Sequence, residues 1–164
     1  MATTISFRPS VRPASPSLRP VDRVAQRLAA HGIDIVRISL GLVIAGFGAL
    51  KFFPGVSPAE PIVTKAVHML TFGLIGGQTA MVATAIVECA VGLSLISGRF
   101  LRAGLVVLAA CVLGWMSPLV LFPGDLFTGD GPTLAAQYIL KDLVLGAAGL
   151  VVAAKALGAR VVIE

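Results

Sequence analysis

The sequence predicts an all-α, polytopic membrane protein: a four-transmembrane-helix bundle with an additional interfacial helix between spans one and two. Three observations carry this expectation. Only 13% of the 164 residues are charged, about half the share that a soluble domain uses to cover its surface. The mean hydropathy is +0.95, so lipid is the expected solvent for most of the outside. Four apolar runs of near-spanning length also lie between turn-forming residues. Helices suit such runs because each satisfies its own backbone hydrogen bonds without water.

Residues 1–20 are rich in Pro, Ser and Arg and contain no hydrophobic run. They read as a disordered basic tail and lack the apolar stretch of a secretory signal. Over 21–31 the pattern becomes helical, with Val21, Val24, Ala25 and Leu28 on one side and Asp22, Arg23, Gln26 and Arg27 on the other. This predicts a short amphipathic lead-in helix on the cytoplasmic leaflet, its arginines meeting anionic head groups, or else a frayed entry to the first span.

The transmembrane domain is expected over 32–155, followed by a C-terminal tail at 156–164. Its first span covers about 33–53 and ends at Pro54-Gly55. The second covers about 79–97, to Gly98-Arg99, and the third about 103–121, closed by Phe122-Pro123-Gly124. The fourth covers about 134–154, after a turn at 128–132. Each approaches the ~20 residues that cross a hydrocarbon core about 30 Å thick. Between spans one and two, Pro58-Ala59-Glu60-Pro61 reads as a helix start, and Ile62, Val63, Ala66, Val67, Met69 and Leu70 supply an apolar side up to Gly76-Gly77. The segment is too broken for a fifth span and is expected at the interface, or as a lid over the bundle mouth.

Orientation follows from the basic residues. Arg8, Arg12, Arg19, Arg23, Arg27, Arg99, Arg102, Lys155 and Arg160 fall on one side of this topology and only Lys65 on the other. The positive-inside rule then places both termini in the cytoplasm.

The chemistry is expected at ionisable residues inside the spans: Arg37, Lys51, Glu88, Lys141 and Asp142. Each costs about 2.5–3.5 kcal/mol at a helix centre, so they require pairing, water or an interface. Arg37 and Lys51 are two heptads apart on one stripe with Gly41 and Gly48, which points that stripe at other helices. Glu88 lies near mid-span with Thr84 and Gly92 on its face, so it is expected to meet a cation or to be protonated. Lys51 and Lys141 are its nearest partners by depth, and Asp142 is expected to hold the second lysine. All five ionised leave a surplus of one positive charge. That describes a slightly cationic pocket in the outer half, suited to a small anion or a quinone carbonyl, or else a structural network that fixes helix register. Phe47, Phe52 and Phe53 are candidates for lining an apolar slot or for facing lipid. Trp115, Met116 and Pro118 are expected to pack and kink their helix, Tyr138 to join an aromatic belt, and His68 to sit at the interface. Cys89 and Cys111 read as small apolar core residues. No metal-ligand spacing, phosphate loop or nucleic-acid motif is present.

These residues form three groups: Arg37 and Gly41 leading to Phe47, Ala49 and Lys51; Glu88, Gly92, Leu95 and Gly98; and Lys141-Asp142. In that order, over about 33–154, the chain resembles the DoxX-like family of small bacterial four-span membrane proteins. The resemblance implies a multi-pass protein of the bacterial plasma membrane, with Lys51, Glu88, Lys141 and Asp142 lining the bundle interior. It also implies a membrane subunit of a quinone-linked oxidoreductase, thiosulfate- or oxidative-stress-related, beside a second redox subunit. On this reading Glu88 and Asp142 handle protons, Lys51, Lys141 and Arg37 hold substrate, and quinone is the cofactor, with none bound covalently. The alternatives are a structural or assembly subunit and a small solute or proton transporter, the latter as an oligomer; partners in either case are the lipid bilayer and a second copy of the chain as a homo-oligomer. The chain carries no cysteine pair or cofactor motif for moving electrons alone.

Overall fold

A computed structural model describes residues 19–129 and 131–159; most of the basic tail, Asp130 and the last five residues lie outside them. The described chain is mostly helical. Helix α1 spans Pro20–Leu50, α2 Glu60–Leu70, α3 Gly77–Ser97, α4 Leu101–Leu121, α5 Pro123–Leu126 and α6 Leu134–Ala156, and a two-residue hairpin of β1 (Phe127–Thr128) and β2 (Gly131–Pro132) precedes α6. Helices α1, α3 and α4 are long and apolar enough to cross a membrane. At 23 residues, α6 has comparable length.

The lead-in helix and the first span are one element. Gly32 is the only weak position between them, and one glycine costs a helix about 1 kcal/mol, too little to break a run that already has Pro20 at its first turn and Asp22 bonded back to Arg19. At 31 residues α1 is about 46 Å long, longer than the hydrocarbon core. It stops at Leu50, just ahead of Pro54, which cannot continue the hydrogen-bond ladder. Helix α2 ends at Leu70, earlier than Gly76-Gly77. The Thr71 hydroxyl donates to the Val67 carbonyl at 2.7 Å and accepts from the Ile75 amide at 3.1 Å, folding the chain back before the glycines.

The long helices form a ring in the order α1, α3, α4, α6. Partner positions run in opposite senses on each adjacent pair, so the bundle goes up and down: Gly41 meets Gly92 while Gly48 meets Glu88, and Leu108 meets Gly149 while Val112 meets Gly146. The α1–α3 crossing is closest. A Cβ on Gly92 would lie 2.7 Å from the Ala45 backbone nitrogen, so only glycine permits the approach. Small residues at a helix contact allow backbones to pack where lipid supplies no hydrophobic drive.

The core is uneven along the bundle axis. Leu40, Ile44, Val91, Leu95, Leu108 and Val152 fill the half away from α2, and Lys155 pairs with Asp34 at 2.8 Å at that end, tying α6 to α1. At the other end a smaller cluster of Leu126, Ala136 and Ile139 supports the α5–hairpin cap. Here α2 packs against α3 and α4, its first turn reaching the second cluster through Ile62. Lys65 pairs with Asp125 and lies 4.3 Å over the Phe122 ring, linking α2 to the α4–α5 corner. Between the two clusters the bundle is hollow.

Candidate functional site

The hollow is a cavity of about 320 Å³. All four long helices line it, and α2 covers it with Ile62, Ala66 and Leu70 among its lining. Most of the wall is apolar, and the polar groups fall in two places.

The first is Lys51 with Glu88. Lys51 is the residue that ends α1, and Glu88 lies midway along α3 where Gly48 lets the two helices touch. They form an ion pair at 6% and 3% exposure. Trp115 of α4 donates its indole N–H to the same carboxylate oxygen, Oε1, at 3.0 Å. Three helices therefore converge on one carboxylate. Oε2 accepts no bond from a described residue, and no described side-chain oxygen or nitrogen is sealed away unpartnered, so Oε2 opens onto the cavity. Lys51 also keeps two N–H bonds beyond the one given to Glu88. The pair thus offers an incoming molecule both a donor and an acceptor.

The helix that brings Trp115 here is shaped by Pro118. Proline removes the bond that the Gly114 carbonyl would receive, and the Ser117 hydroxyl replaces it at 2.7 Å. Gly114, Trp115 and Pro118 all face the cavity. The irregular backbone thus lies where space adjoins it.

The second polar group is Lys141 with Asp142 on α6. Both line the cavity. Asp142 does not hold Lys141 in an ion pair, however. The Lys141 ammonium lies 3.9 Å from the centroid of the Tyr138 ring and 4.4 Å from that of Phe47, and those rings meet edge-on at 6.4 Å. Neighbouring positions on a helix diverge by about 100°, so the ammonium finds aromatic faces on the α1 side while the carboxylate turns toward the interior. Phe47 and Tyr138 accordingly border the cavity beside Lys141.

Arg37 stands apart. It is two heptads below Lys51 and outside the cavity lining. Its guanidinium donates to the Leu95 carbonyl and, at 3.1 Å, to the Ile96 carbonyl, which are among the acceptors left open at the end of α3. It also pairs with Asp34 at 3.7 Å. Arg37 is a helix cap supplied by a neighbouring helix, and a substrate role for it has no geometric basis. Removing it from the set corrects the charge. With Lys51 and Lys141 against Glu88 and Asp142 all ionised, the cavity is neutral and has no surplus positive charge.

Sequence reasoning missed Trp115 as a partner of Glu88 and the Phe47–Tyr138 clasp on Lys141. A mid-span carboxylate needs more than one donor, so a nearby indole was the available signal. Its distance of 27 positions in sequence hid the contact. Among the described residues no cluster could hold a metal ion, and Cys89 and Cys111 are free thiols. No known family, curated protein or solved structure matches this chain.

Proposed function

We propose that the chain is a DoxX-like four-span membrane protein of the bacterial plasma membrane, with both termini cytoplasmic and α2 as an interfacial lid. Its cavity binds a quinone on behalf of a quinone-linked oxidoreductase in which it serves as the membrane subunit beside a second redox protein. One observation carries the reading: an apolar cavity, open to a lipid-soluble molecule, holds a buried Lys51–Glu88 pair that retains a free donor and a free acceptor. A carbonyl oxygen would accept from Lys51, and a quinol hydroxyl would donate to Glu88 Oε2. Glu88 is thus placed to exchange a proton with the ligand, with Asp142 as the second carboxylate on the cavity wall. The balance of two cations and two carboxylates favours a neutral ligand over thiosulfate or another small anion.

Trp115 is the sole tryptophan and lines the cavity, which supplies a direct test. A short-chain quinone titrated into the purified protein in detergent should quench Trp115 fluorescence along a saturating curve. Glu88→Gln and Lys51→Met should each weaken the apparent affinity about tenfold or more, on the scale of one hydrogen bond to a charged group. Quenching that rises linearly without saturation, alike in all three proteins, would reduce the effect to detergent partitioning and remove the quinone reading. A specific observation favours a second reading. The pair sits where Gly48 and Glu88 pack so closely that a Cβ on Gly48 would come within 2.9 Å of the Glu88 Cβ, as a lock on helix register would. Under that reading the same substitutions lower protein abundance and leave the quenching unchanged.

A further inference from the structure

A ligand dissolved in lipid must reach the cavity through a seam between helices, and the four seams differ in how they are held. At α1–α3 the backbones touch through Gly41, Ala45, Gly48 and Gly92. The α3–α4 seam carries the Trp115–Glu88 bond and the tight Ser94–Gly104 approach, and α2 packs against both helices above it. The α4–α6 seam is packed through Val112 against Gly146 and Leu108 against Gly149, and the α5–hairpin cap closes its upper end.

The α1–α6 seam is held differently in its two halves. Away from α2 it is secured by the main core, with Leu40 and Ile44 in one cluster with Val152, and by the Lys155–Asp34 ion pair. At cavity level its polar fastening is the Lys141 ammonium against the faces of Phe47 and Tyr138. Phe47 is 40% exposed, and Lys141 is exposed as well. Both also line the cavity, so they face the interior and the outside together. The ammonium makes no hydrogen bond or ion pair to any described residue. A lysine at this depth held by aromatic faces alone has three N–H groups to offer to an oxygen that approaches it.

We infer that the outer half of the α1–α6 seam is the ligand entrance and that Lys141, clasped between Phe47 and Tyr138, is its latch. The inference rests on the proposed quinone-type occupant. An arriving carbonyl oxygen draws the ammonium off the rings, the rings part, and the ligand slides inward to the Lys51–Glu88 pair. The ammonium then returns to the aromatic faces behind it. The firmly packed lower half of the seam acts as the hinge. Lys141 is on this account a positioning residue that governs passage, distinct from the pair that receives the ligand.

A latch changes rates of entry and exit together, whereas a binding residue changes the equilibrium. Stopped-flow quenching of Trp115 by a short-chain quinone separates the two. Lys141→Met and Phe47→Leu should each raise association and dissociation rates by about three- to thirtyfold, the range expected when cation–π contacts are removed, with the dissociation constant held within about threefold. Lys141→Arg keeps a cation over the rings and should restore slow exchange. If wild type quenches saturably and both variants exchange at its rates, the entrance lies elsewhere and the quinone reading stands. If rates stay fixed while the dissociation constant rises, Lys141 is a binding residue and the latch is disproved. Absence of saturable quenching in wild type would overturn the latch together with the quinone reading.

Discussion

Lys51 and Glu88 are buried in a protein whose surroundings offer little solvation, so the energy of each depends on the other. Removing one partner of a buried ion pair leaves an uncompensated charge and costs about 3–5 kcal/mol, whereas replacing both with apolar groups of similar volume is often neutral. Lys51→Met should therefore destabilise the protein by that amount in detergent unfolding, and Glu88→Met by a similar amount. The double variant should recover most of the loss, because Trp115 then forfeits a single hydrogen bond. Strictly additive losses across the cycle would mean that the two charges are solvated independently and that the pair does not organise the site. The need for a partner was legible in the sequence. Glu88 lies too deep in its run for a short carboxylate to reach water, and Lys51 is at a compatible depth. The geometry of Arg37 was not legible, because a heptad stripe places a side chain on a face without saying which backbone atoms end opposite it. The same limit applies to Lys141. Its neighbour Asp142 is adjacent in sequence, yet the aromatic faces that hold the ammonium come from one turn back and from another helix.

At the level of elements, glycines divide by what stands against them. A Cβ on Gly92 would lie 2.7 Å from the Ala45 backbone nitrogen, whereas one on Gly46 would have nothing within 4 Å. Gly92→Ala must push α1 and α3 apart and is expected to cost about 1–3 kcal/mol, as overpacked sites do. Gly46→Ala, on α1 one residue past Ala45 but facing open space, should be neutral or stabilising by up to about 1 kcal/mol through helix propensity. Thermal unfolding of the two variants side by side would check this, and equal effects would contradict the close crossing. Most helix boundaries were readable because proline and glycine punctuate the chain: Pro54, Gly98 and Pro123 each stand just past a helix end or at the start of the next element. Continuity was harder to read. The change from amphipathic to wholly apolar character near Gly32 marks a change of environment along α1, and a helix can pass between environments without ending. Helix α5 and the hairpin were read only as turns, since elements of four and two residues leave no periodicity to detect.

For the whole molecule, the arrangement of α6 decides the topology. Lys141 and Asp142 interrupt the apolar run of α6, and both line the cavity. The partners of α6 also run the length of α4: Arg102 donates to the Ala156 carbonyl at 3.4 Å at one end, Leu108 and Val112 pack on Gly149 and Gly146 between, and the cap joins the helices at the other end. On the proposed four-span reading, α6, coextensive with α4 and antiparallel to it, crosses beside it. Cysteine labelling separates four spans from three. In a background of Cys89→Ala and Cys111→Ala, Met69→Cys places a thiol on the exposed face of α2 and Ala159→Cys one just beyond α6. With a membrane-impermeant maleimide on intact cells, the proposed topology, in which nine basic residues against one set the termini inside, has the first react at once and the second only after permeabilisation. Reaction of both from outside would mean that α6 returns without crossing. The α4–α6 packing, the cavity between the helices and the entrance beside Lys141 would then need a different geometry. Reaction of Ala159→Cys alone would keep four spans and invert the molecule, placing the lid and the cavity mouth on the cytoplasmic face.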